Sequence, residues 1–97
     1  MIDINKVPMV RVTWLDARDT ETGWLDIKEV IAAPLAVCQE VGWMIHNGKE
    51  KIIIMRSYSK DKEDISGGGA IAIPKDWVKK IEYLEVSYAR NNENRSN

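Results

Sequence analysis

The dipeptide Asn47-Gly48 constrains this chain more than any other feature, because it lies between two runs rich in branched and aromatic residues. A type I′ turn needs positive φ at both central residues, which asparagine and glycine tolerate best. The dipeptide therefore predicts a two-residue hairpin. With His46 opposite Lys49, counting back sets Ile45 against Glu50, Trp43 against Ile52 and Val41 against Ile54. Side chains alternate across a strand, so this register puts Val41, Trp43, Ile45, Ile52 and Ile54 on the core face. Met44, His46, Lys49, Lys51, Ile53 and Met55 share the other.

Further strands and turns are spaced around that hairpin. In residues 9–15, Val10, Val12 and Trp14 alternate with Arg11 and Thr13, the period of a half-buried strand. A polar stretch follows at 16–23. Asp26 is then placed to cap a short helical turn that carries Ile27, Val30 and Ile31 on one side, with Pro34 closing it. Residues 56–66 read as a polar loop that runs into Gly67-Gly68-Gly69, the least constrained part of the chain's interior. Residues 70–73 read as a short strand ended by Pro74, and a turn follows at Lys75-Asp76-Trp77. The last apolar segment fits two patterns: Trp77, Ile81, Leu84 and Tyr88 share one helical face, yet residues 81–88 also alternate as a strand. The strand is the favoured reading. From Asn91 onward there is nothing to bury, so one β-barrel domain over 1–90 and a disordered tail over 91–97 are expected.

Composition narrows what such a domain can do. Ninety-seven residues suffice for a single core. No apolar run nears the roughly 20 residues of a bilayer span, and Met-Ile-Asp-Ile-Asn-Lys lacks a charged segment followed by an apolar stretch, so no secretory leader is expected. A cytoplasmic protein without a membrane partner is expected. Cys38, the only cysteine, follows Leu35, Ala36 and Val37 and reads as a small buried hydrophobe in a reducing compartment. A net charge of −1 gives no strong nucleic-acid signal. Four tryptophans and three tyrosines against no phenylalanine favour rims and interfaces as well as cores.

Two segments carry family likenesses. Ala70-Ile71-Ala72-Ile73-Pro74-Lys75-Asp76-Trp77-Val78 resembles the end of an SH3-type barrel, where a strand ending in Ile-Pro enters one helical turn and leads into the last strand. Val12-Thr13-Trp14-Leu15-Asp16-Ala17, with Gly23-Trp24 and Val41-Gly42-Trp43, is similar to small bacteriophage proteins sharing a Trp-x-Asp-Ala, Gly-Trp, Val-Gly-Trp pattern. Joined to the strand pattern, these resemblances imply a mainly β fold. The specific form is a small five-stranded antiparallel SH3-like or Sm-like open barrel with one short helical turn. The second resemblance also implies a phage accessory protein in a host cytoplasm, one that blocks a host enzyme or sequesters a nucleotide signal of host immunity. The acidic specificity loop and paired tyrosines of peptide-binding SH3 domains are not evident, so proline-rich peptides are not implied as ligands.

Catalytic groups are scarce. His46, the only histidine, stands beside the hairpin tip, and no serine or cysteine sits in a nucleophile motif. One histidine and one cysteine do not build a zinc site, and Asp16, Asp19 and Glu21 lack the glycine and terminal glutamate of a calcium loop. The chain therefore reads as a non-enzymatic binding protein with no cofactor and no metal, with a small nucleotide hydrolase as the minor alternative. A small anionic or nucleotide-type ligand is expected at Arg56, Ser57, Tyr58 and Ser59 beside Gly67, Gly68 and Gly69. A guanidinium fork, hydroxyl donors, an aromatic face and bare backbone amides suit such an anion. The glycine run lacks the Gly-Lys-Ser/Thr ending of a phosphate loop. Arg18 and Trp24 on the other polar loop complete the candidate set, with Trp24 the tryptophan best placed for exposure and able to reach a neighbouring subunit. The alternative is a protein-interaction module that inhibits a host enzyme or binds a virion component. Exposed sheet edges also permit a homo-oligomer.

Overall fold

Alternation at the start of the chain produces the first strand: β1 (Met9–Asp16) buries Val10, Val12 and Trp14 and leaves Arg11 in solvent, as a period of two requires. The structure, a computed structural model, describes residues 3–19, 23–61 and 64–89. β2 (Ala36–Asn47) is twelve residues long and serves two neighbours. Its first part pairs with β1, and its end pairs with β3 (Lys51–Met55). Beyond β3 lies β6 (Ile71–Pro74), and beyond β1 lies β7 (Val78–Tyr83). The sheet order is β6-β3-β2-β1-β7, with every pairing antiparallel. The chain is thus mainly β, with the open five-stranded antiparallel sheet that the strand pattern implied.

Short helical pieces punctuate the strands. The helix α1 (Ile27–Ala32) falls where the Ile27, Val30, Ile31 spacing placed it, and a 3-10 turn at Lys75–Trp77 follows Pro74. A second 3-10 turn at Ile4–Lys6 adds to the one helical turn expected; Asp3 Oδ1 caps it by accepting from the Asn5 amide at 3.0 Å. The final segment is a strand, but β7 stops at Tyr83 instead of running on to residue 88. Its partner β1 begins at Met9, whose carbonyl accepts from the Leu84 amide at 2.9 Å, and past that bond the ladder has no further partner. The expected tail over 91–97 lies outside the described residues.

One core holds the sheet together. Val10, Val12, Trp14, Met44, Ile52, Ile54 and Ile73 form it, with Cys38, Ile71, Val78 and Ile81 packed against its edge. Cys38 is half-buried at that rim, not enclosed as expected. The Trp14 indole N–H donates to Asp16 Oδ2 at 3.2 Å, so the ring is buried with its polar edge satisfied.

The hairpin register differs from the one counted out from Asn47-Gly48. Asn47 is the last residue of β2 and pairs with Ile52. The Gly48 amide donates to the Lys51 carbonyl at 3.0 Å, so the chain reverses at Lys49-Glu50, two residues later. Gly48 keeps a negative φ; among the described residues the positive-φ glycines are Gly23 and Gly69. Trp43 faces Met55 instead of Ile52, and Met44 faces Ile54. This three-residue slip is odd, so it turns β2 over. Met44 enters the core, Trp43 moves to the opposite face, Ile45 falls in the register shift between Met44 and His46, and Val41 is exposed. Ile52 and Ile54 are fully buried as expected. Two interactions anchor the later turn: the Lys75 amide donates to the Glu50 carbonyl at 2.8 Å, and Lys75 Nζ donates to Asn47 Oδ1. Packing and cross-chain bonds thus override a local turn preference.

Candidate functional site

The expected anion-binding residues do come together, but as a paired ribbon and not as a loop. β4 (Ser57–Asp61) and β5 (Asp64–Gly68) form a two-stranded sheet in which Ser57 faces Gly68, Tyr58 faces Gly67 and Ser59 faces Ser66. Gly67 and Gly68 therefore occupy ladder positions, and Gly69 alone of the three turns left-handed, at φ 62°. Gly67 is small for a packing reason: a Cβ there would run into Met55 Sδ. Met55 is buried beneath the ribbon, and Tyr58 meets Trp43 edge to face with ring centroids 5.1 Å apart. Tyr58, Trp43 and Met55 make a small second cluster on the far side of the sheet.

Arg56 is already occupied. Its Nη2 donates to Glu40 Oε1 at 2.7 Å across the base of the ribbon. That hydrogen bond holds the Glu40 carboxyl below its ordinary value, with burial opposing it and the charge of Arg56 adding to it. A second brace joins β1 to β7, where Arg11 donates from Nε and Nη2 to the two carboxylate oxygens of Glu82, each at 2.8 Å. The hydrogen bond from Arg11 likewise lowers Glu82. A carboxyl lowered by folding adds stability that is present above its unfolded pKa and is lost as pH falls through its folded pKa. The midpoint of urea unfolding should therefore fall as the pH drops through the ordinary carboxylate value of 4.5 and on through the lowered ones. Glu40→Gln should flatten part of that drop, by a modest amount because Arg56 is half exposed. An equal drop in the variant would show that Glu40 gains nothing from Arg56.

The other candidate loop becomes an arm. Gly23, at φ 113°, leads the chain into it, and the Glu29 and Val30 amides donate to the Asp26 carbonyl to start α1. Asp26 holds the N-cap position without a side-chain bond. None of the six residues of α1 is buried. Trp24 is wholly exposed, as expected from its place after a glycine, and Ile27 and Ile31 are 69% and 78% exposed. Leu35, where the arm returns, is also exposed. Sequence periodicity identified the apolar stripe of α1 but not that it faces solvent. Spacing tells which side chains share a face, and says nothing of what covers that face.

At the root of the arm the surface is hollow. Leu15, Ala17, Leu35, Asp76, Trp77 and Lys79 line a cavity of about 300 Å³. The Cα radius of gyration is 19.0 Å, against about 13 Å for a compact domain of this length. Arg18 and Asp19 are exposed on the same loop. Asp16 accepts from the Trp14 indole and, at 2.7 Å, from the Ala17 amide, and Glu21 lies outside the described residues. Among the described residues no three acidic, histidine or cysteine side chains gather as metal ligands, and no helix is long and apolar enough to cross a membrane. His46 is exposed near the hairpin tip, its ring lying over Gly48. No family model matches this chain, and comparison with curated proteins and with solved structures finds no match.

Proposed function

We propose that this chain is a binding protein that works through protein–protein contact, with the barrel as scaffold and residues 23–35 as the contact arm. The observation that carries this reading is the exposure of Trp24, Ile27 and Ile31 on an arm whose helix buries none of its residues. An isolated helix of six residues is far too short to persist on its own propensity, and packing of an apolar face is what ordinarily stabilises one. A stripe of this kind is the signature of a surface that a partner covers. Burying one such aliphatic side chain contributes about 1.5–3 kcal/mol, so two isoleucines and a tryptophan meet much of the cost of association. The test is a photo-activated cross-linking residue placed at Ile31 and, as control, at exposed Lys51. Adducts to protein are expected from position 31 and not from 51; equal yields from both would reject the arm as the contact surface.

A small anionic ligand is the second reading, and its support has shifted from Arg56, which Glu40 holds, to Arg18 and Trp24. Trp24 offers a free aromatic face, and no ion pair engages Arg18 among the described residues. Stacking of a base on Trp24, with Arg18 on the same stretch of chain to meet its phosphate, is the chemistry proposed. Titration with linear and cyclic nucleotides while following tryptophan fluorescence tests it, and no change at high micromolar concentration rejects it.

A further inference from the structure

We infer that the partner seated on the arm is a second copy of this chain, whose hollow at Leu15, Ala17, Leu35 and Trp77 receives Ile27 and Ile31 of the arm. This rests on the reading of the arm as a contact surface. The chain carries both halves of such a contact, a projecting stripe and an apolar-lined cavity of about 300 Å³, room for an aromatic or a pair of aliphatic side chains. Within one chain the two stay apart, since Ile27 and Ile31 are both exposed. Pro34 fixes its own φ and holds Ala33 extended, at φ −59° and ψ 128°, so α1 ends there.

The areas suit a dimer. From their exposures, Trp24, Ile27 and Ile31 together present on the order of 550 Å², within the roughly 300–600 Å² of the largest apolar patch on an ordinary monomer. A standard interface buries about 800 Å² on each side, so rim contacts need supply only a small remainder. The charges suit one too. The arm carries Asp26, Lys28 and Glu29, and the rim of the hollow carries Asp76 and Lys79, so each surface offers both signs to the other. A net charge of −1 adds little repulsion between copies.

Solution mass, measured on the full chain by light scattering, tests this with two variants at exposed positions. Ile27→Asp/Ile31→Asp removes the stripe, and Ala17→Trp fills the hollow from within; retained near-ultraviolet circular dichroism checks the fold of each. The wild-type chain is expected to associate at micromolar concentration, and each variant to weaken that association about a hundredfold. An equimolar mixture of the two is expected to regain a heterodimer, because one intact stripe then meets one intact hollow. A wild-type monomer at hundreds of micromolar overturns the inference, and so does an Ala17→Trp chain that still dimerises, since the arm would then be docking elsewhere. If the wild type is monomeric while the cross-linker at position 31 captures a different protein, the arm reading stands and the second copy falls. If Ile27→Asp alters neither the mass nor the cross-linking from position 31, both fall.

Discussion

Ile54→Ala is expected to remove about 2–5 kcal/mol of stability, while Val41→Ala changes it by less than about 0.5 kcal/mol. Ile54 is fully buried, faces Met44 across β2 and faces Ile71 across the β6 pairing. Truncating it loses the transfer free energy of three carbons and leaves a cavity between strands that cannot close on it. Val41 is 48% exposed and sits opposite Arg11 on the solvent side. Counted from a turn at Asn47-Gly48, the two residues face each other in the core and both truncations should be costly. Urea unfolding of the two single variants therefore reads the hairpin register directly. Comparable losses would restore the earlier turn and refute the observed pairing.

Gly42→Val should cost at least as much, for the opposite reason. A Cβ at Gly42 would stand 2.5 Å from the Met55 carbonyl oxygen and 2.7 Å from Ile54 Cγ2. The first neighbour is backbone and has no rotamer in which to retreat. The end of β3 lies across β2 at this residue, and that close crossing lets one long strand pair with β1 by its first part and with β3 by its last. Overpacking in a filled interior costs about 1–3 kcal/mol, and a branched side chain against a strand backbone belongs at or beyond the top of that range. In a domain whose total stability is about 5–15 kcal/mol, loss of soluble protein or of the near-ultraviolet dichroism of Trp14 and Trp43 is the expected readout. A variant that unfolds at the wild-type urea concentration would show that β2 and β3 can separate at Gly42 without penalty.

Much of this architecture is legible in the residues, and what is not has identifiable causes. β1 reads off the alternation of Val10, Val12 and Trp14, and the corner at Lys75–Trp77 follows from Pro74. The hairpin misleads because Asn47-Gly48 favours one turn by a local preference, while Met44, Ile52 and Ile54 gain more by sharing a core from a reversal two residues later. The ribbon of β4 and β5 is hidden because all five residues of β4 are exposed, leaving no buried alternation to recognise. Of the candidate site, exposure of Trp24 is legible from its neighbours. That Arg56 is held by Glu40 is not, because the two meet only through the fold, sixteen residues apart.

The pairing of β1 with β7 also sets the order in which this molecule can form. Arg11 and Glu82, braced across that seam, lie 71 positions apart, so the closing of the sheet is a long-range event that local hairpins cannot nucleate. Chains dominated by such contacts fold in milliseconds to seconds, not microseconds. During synthesis β1 emerges long before β7, and one side of β1 stays open until residues 78–83 are made. The exposed edge of the half-made sheet is therefore a kinetic hazard of the nascent chain, present in every molecule and absent from every finished one.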